Sequence, residues 1–157
     1  MRKNHKLISA IAVMFVFACI QVSSVRAEEG SPMNVVKSFA QAYFILDSSM
    51  TEYLNKDALA SNMADRYLEK KALEAYNCGY NITYMQKFPT NMNIKVIKQS
   101  DSSATIEFDA ITIRNINPVY RMIGSLIGVL EEYKVHDIIT LVKEDGGWKI
   151  APGVFEM

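Results

Sequence analysis

Apolar and polar positions alternate with a period of two near the end of the chain. Tyr133, Val135, Ile139 and Leu141 share one parity, and Lys134, His136 and Thr140 the other. That is the pattern of a strand. Ile138 and Val142 put apolar groups on the second face as well, so the strand is expected to be largely covered. Glu144-Asp145-Gly146-Gly147 then supplies the positive-φ residues that a hairpin turn needs. Trp148-Lys149-Ile150 returns beside the long strand, with Trp148 expected in the core, and Pro152-Gly153 stops the pairing. The rest of the chain is expected to organise around this 132–150 hairpin.

Upstream the period changes to helical. Val35, Val36, Phe39, Ala42, Tyr43 and Leu46 recur at helix spacing after Pro32, with Lys37, Ser38 and Gln41 opposite. Asp47-Ser48-Ser49 breaks that helix and can cap a short one that follows. Asn55 suits the cap of a further helix, expected to run unbroken from about Lys56 to about Tyr76 and to close at Gly79. The segments 81–87, stopped by Pro89, and 92–99 read as strands. The segment 104–114 reads as a long strand in which Ile106, Phe108 and Ala110 change parity with Ile111 and Ile113. A β-bulge near Ala110-Ile111 would put all five on one face. Val119, Ile123, Leu126, Ile127 and Leu130 repeat at helical spacing in a stretch weakened by Gly124 and Gly128, where Arg121 is the one charge before Glu131. Two uses fit this segment: an apolar cover packed over the sheet, or an exposed surface for a partner or membrane interface.

The first 27 residues differ in kind. Arg2, Lys3 and Lys6 precede an uncharged apolar run from Leu7 to Val22, and Val25-Arg26-Ala27 has small residues where a signal peptidase cleaves. This pattern predicts a secretory signal, cleavage after Ala27, and a periplasmic or secreted protein carrying one domain over 28–157. The apolar run is short for a membrane span of about 20 residues. Cys19, after Val16-Phe17-Ala18, only loosely matches a lipidation box. The whole chain balances 17 Lys+Arg against 17 Asp+Glu; without the leader, 13 basic residues face 17 acidic ones, a net charge of −4. No basic patch then remains for nucleic acid. One cysteine, Cys78, is left, so no intramolecular disulfide can form. A buried thiol is the expectation for it.

Candidate chemistry is sparse. Tyr43 and Asp47 are four residues apart and share a helix face if the helix reaches Asp47, although Asp47 also suits a cap. His136 lies beyond the leader with Asp109 on a strand expected to run antiparallel to its own, but its parity with Lys134 and Thr140 places it on a solvated face. One histidine and one distant cysteine do not make a zinc site. No Gly-rich phosphate loop and no Gly-x-Ser-x-Gly nucleophile occurs. No cofactor and no metal are therefore expected.

Helices first, over Val35 to Tyr53, then a long strand from Ala104 to Arg114, then Thr140 to Ile150 ending in Asp145-Gly146-Gly147-Trp148-Lys149-Ile150: this order resembles the nuclear-transport-factor-2-like (cystatin-like) superfamily, whose last strand commonly reads acidic-Gly-x-Trp-Lys-Ile. Arg114-Asn115-Ile116-Asn117-Pro118 with the apolar segment after it is similar to small exported bacterial proteins of that type. The resemblance implies an α+β fold in which N-terminal helices pack in the concave face of a strongly curved antiparallel sheet, making a cone. It implies a cone lined by Phe39, Tyr43, Asp47, Phe108, Tyr133 and Val135. In proteins similar to ketosteroid isomerase such a cavity holds a tyrosine and acids for proton transfer. Fold alone does not fix function. The expectation is a non-catalytic binding or assembly module of the cell envelope. It would use either the apolar cone, for a small apolar ligand, or the surface of Val119, Ile123, Leu126, Ile127 and Leu130. That surface would take a protein partner, a second copy or the membrane periphery. The alternative is a small lyase or isomerase using Tyr43 and an acid.

Overall fold

The computed structural model describes residues 30–155 and residue 157. The leader, its cleavage site and Cys19 lie outside the described residues. The chain forms an α+β unit in which a helical layer precedes a four-stranded antiparallel sheet of order β1-β2-β3-β4. The strands are β1 (Lys87–Gln99), β2 (Ser103–Arg114), β3 (Glu132–Glu144) and β4 (Gly147–Ile150). The sheet is open, with β1 and β4 as its edges. No helix among the described residues is long and apolar enough to cross a membrane.

Helix α1 (Pro32–Phe44) begins where the Ser31 hydroxyl accepts the Asn34 N–H, with Pro32 in the first turn. It ends where Leu46 takes a positive φ of 57° and the Asp47 N–H reaches back to the Ala42 carbonyl. Its buried stripe of Val36, Phe39, Ala40 and Phe44 lies on the inner face of the sheet. That face is built by Ala104, Ile106, Phe108 and Ala110 of β2, Ile139 and Leu141 of β3, and Ile150 of β4. These positions alternate along each strand, as a sheet with one covered face requires. A 3₁₀ turn (Ser48–Tyr53) and helix α2 (Lys56–Ala60) follow. Buried Asn55 joins this layer to the last strand: its N–H donates to the Ile150 carbonyl while its side chain accepts the Ala58 N–H.

Several sequence expectations change. The long helix expected from Lys56 is interrupted at Asn62, which adopts a left-handed φ of 50°, so α2 ends and α3 (Met63–Asn77) begins anew. Asparagine tolerates that conformation better than most residues. The strand expected over 81–87 is mostly a 3₁₀ turn (Ile82–Met85), and β1 instead runs through Pro89. A proline is tolerated there because β1 is an edge strand. The irregularities lie on β1, where the register shifts at Pro89/Asn91 and at Val96/Lys98, rather than at Ala110-Ile111 of β2. Ile111 therefore keeps its place on the open face while Thr112 and Ile113 are both buried. Bulges of this kind blunt an exposed edge. Trp148 is half-buried, packed against the core with Lys143 above its ring, rather than sealed inside it. Cys78 is exposed.

Candidate functional site

The candidate site residues separate into three environments. Phe39 and Phe108 are fully buried, and Phe155 packs on both, with ring centroids 5.7 and 4.9 Å away. Phe155 also lies 4.9 Å from Tyr43 and 6.0 Å from Phe44. The chain's own 152–155 segment thus fills space between α1 and the inner face of the sheet. Two polar contacts hold it: the Tyr43 hydroxyl donates to the Phe155 carbonyl at 3.0 Å, and the Phe155 N–H donates to the Asp137 carboxylate at 2.6 Å. Tyr67 stacks on Tyr43 at 4.5 Å, and burial raises its phenol above the ordinary tyrosine range.

Beside this plug lies a cavity of about 530 Å³ lined by Tyr43, Val135, His136, Asp137 and Phe155, with Lys87 and Lys134. Tyr43 and Val135 both line it. Asp47 does not: it is exposed, and it accepts the Ser49 N–H as the cap of the 3₁₀ turn, which lowers its pKa. Tyr133 belongs to a polar cluster. It donates to Glu131, which raises its pKa, and accepts from Arg114 Nε at 3.1 Å. Asp137 is the cavity acid that the sequence reading passed over. Its parity with Val135 and Ile139 was the available signal, since residues two apart on a strand share a face.

The uncovered face of the sheet carries a second group. Asp109 and His136 are direct register partners on β2 and β3, and His136 Nδ1 donates to Asp109 Oδ1 at 2.8 Å. This bond to the carboxylate raises the pKa of His136, which stays largely exposed. Glu107, two residues before Asp109, points to the same face and pairs with Lys95 at 3.7 Å. The sequence put Asp109 and His136 on strands expected to be antiparallel; their direct apposition, and Glu107 beside them, needs the strand register.

The third environment is the connection between β2 and β3. Helix α4 (Pro118–Leu126) starts at Asn117, whose side chain accepts the Val119 N–H, and has Pro118 in its first turn. It ends in a left-handed cap at Gly128, with the Val129 N–H on the Gly124 carbonyl. Gly124 is buried because Leu130 folds back onto it; a Cβ there would lie 2.8 Å from Leu130 Cδ2. Apart from Gly124, the helix buries no residue. Val119, Tyr120, Met122, Ile123, Leu126, Ile127 and Val129 are 45–80% exposed. Leu130, expected on this surface, is half-buried against Gly124.

No protein-family model matches the chain, and no curated protein is significantly similar to it. Among solved structures, the chain is similar to a SEC-C motif containing protein from Rhodopseudomonas palustris. The likeness has a TM-score of 0.45 at 16% identity and covers 78% of this chain and 77% of that one. A likeness at that level carries no argument about fold or function. The resemblance read from the sequence is corrected all the same: no family model matches the chain and the solved structure found is a SEC-C motif protein, so nothing supports membership of the nuclear-transport-factor-2-like superfamily, and it is withdrawn. The misleading signal has a local cause. Asp145 and Gly146 have φ values of 49° and 84°, the two positive angles of a tight hairpin turn, so Asp-Gly-Gly-Trp-Lys-Ile reports a hairpin and not a family.

Proposed function

We propose that this protein is an exported, non-catalytic binding module of the cell envelope that docks on a membrane surface through the 118–130 segment. The observation that supports this best is the run of seven large apolar side chains left in water around one short, capped helix. Contiguous apolar patches of this kind mark interaction sites. The apolar arc runs from Met122 through Leu126, Val119 and Ile123 to Ile127 and Tyr120, with Arg121 and Ser125 on the other side. Tyrosine and arginine beside an aliphatic face suit the boundary between acyl chains and headgroups. Full burial of one such side chain contributes about 1.5–3 kcal/mol, so partial insertion of several gives reversible binding. Export rests on the leader pattern of residues 1–27.

The test is flotation of the protein with vesicles of phosphatidylethanolamine and phosphatidylglycerol. The protein should float with them, and Ile123→Asp and Leu126→Asp should abolish flotation while keeping the cooperative melt. A protein that stays in the aqueous fraction would overturn the reading. So would a dimer in solution that the same two substitutions disperse, which would give the surface to a second copy.

A second reading has one observation behind it. Tyr43 and Asp137 line one cavity, as a proton-transferring lyase or isomerase would require. Against it, the Tyr43 hydroxyl already donates to Phe155 and the Asp137 carboxylate accepts the Phe155 N–H. An acid-base enzyme would have to release both groups to substrate.

A further inference from the structure

We propose that Glu107, Asp109 and His136 form a binding site for a divalent transition-metal ion on the open face of the sheet. One donor atom from each of the three lies within 4.8 Å of the other two. Glu107 and Asp109 come from β2, which is paired on both sides there, and His136 from the stretch of β3 paired to β2, so the sheet fixes the backbone beneath all three. Glu107 and Asp109 are two residues apart on one strand, and His136 is the register partner of Asp109 on the next. This brings two carboxylates and one imidazole together from one side.

The spacing suits a metal. Two neighbouring ligands about 2.1 Å from one ion lie roughly 3 Å apart in octahedral and roughly 3.4 Å apart in tetrahedral coordination. The Asp109–His136 separation is 2.8 Å, so a cation can take the place of the shared proton without moving either strand. Glu107 closes the third position by a side-chain rotation. Its present partner, Lys95 at 3.7 Å, is a highly exposed lysine that gives up little by leaving. Two carboxylates and a neutral imidazole supply two negative charges against a divalent ion. One nitrogen with two oxygens suits zinc, iron, cobalt or manganese better than calcium. Three protein ligands leave coordination positions for water or a small anion. A cavity of about 280 Å³ beside Asp109 and His136, also lined by Asn91, Asn93 and Lys134, gives such a ligand room.

This site is independent of the exposed 118–130 segment, the crown, and is tested separately. Zinc is titrated into the purified full chain by calorimetry, and manganese is added to ¹⁵N-labelled protein to map paramagnetic broadening. The expected result is one zinc per chain, with broadening centred on residues 107, 109 and 136. Asp109→Asn and His136→Gln should each weaken zinc binding at least about tenfold, while Cys78→Ser leaves it unchanged. All three side chains are at least partly exposed, so the variants should melt like the parent. No heat of binding up to millimolar zinc would overturn the proposal. Binding that both substitutions leave intact would overturn it too, as would broadening centred elsewhere.

Discussion

At the level of single residues, the contrast between Tyr43 and Asp47 shows how a hydrogen bond assigns a role that spacing leaves open. Four residues apart, they would share a face of a continuing helix. The helix instead stops at Phe44, because Leu46 turns left-handed and Asp47 serves the next turn as its cap. Tyr43 instead donates its hydroxyl to the Phe155 carbonyl. Tyr43→Phe keeps the stacking on Tyr67 and Phe155 and removes this hydrogen bond, whose net contribution is about 0.5–1.5 kcal/mol. The expected outcome is a loss of stability of that size in chemical denaturation. Vesicle flotation should be unchanged, because the crown is built from other residues. Conversion of a carbonyl compound by the parent that disappears in Tyr43→Phe, with stability intact, would instead promote the isomerase reading.

At the level of elements, what could be read from the sequence followed periodicity. The 104–114 and 132–150 strands were legible because one face is covered, so alternation is imposed on every second residue. The covered face holds Ile106, Phe108, Ile139 and Leu141, and the sequence pattern placed all four correctly. Edge strand β1 was harder. Its two register shifts and Pro89 break alternation, and its exposed side is free of core constraint. The break at Asn62 carried no proline or glycine to announce it. The 118–130 segment was legible as a helix but not as covered or bare, since periodicity reports a face and not what meets it. Its C-terminal cap gives an element-level prediction. Gly128 sits at a φ of 68° with open space around its missing Cβ. Gly128→Ala therefore meets no clash and costs the left-handed penalty alone, about 1–2 kcal/mol. Hydrogen exchange should show faster opening at the amides of Ile127 and Val129, with β2 and β3 protected as before. A drop in global stability instead would show that the crown folds as one cooperative unit with the sheet.

At the level of the whole molecule, the decisive element was hidden in a place where the pattern says little. Pro152-Gly153 marks the end of strand pairing, and the two apolar residues after it are too few to show a period. Yet Val154 and Phe155 are buried, and Phe155 joins α1 to the sheet by touching Phe39, Tyr43, Phe44 and Phe108. Part of the volume expected to hold an apolar ligand is thus taken by the protein's own side chain, and the cavity lined by Tyr43 and Val135 lies beside it. This has a sharp consequence. Phe155→Ala removes a buried ring and should cost about 3–5 kcal/mol, with a spread set by how far the neighbours collapse. The backbone anchors from Tyr43 and Asp137 go to the main chain of residue 155 and survive the substitution. The segment should therefore stay in place around an empty apolar space. Such a space stays dry and accepts small aromatic molecules. Benzene or indole should raise the melting temperature of Phe155→Ala and leave the parent unaffected. A parent that is stabilised equally would show that a ligand reaches the aromatic cluster past Phe155, and the binding role would pass from the crown to the interior.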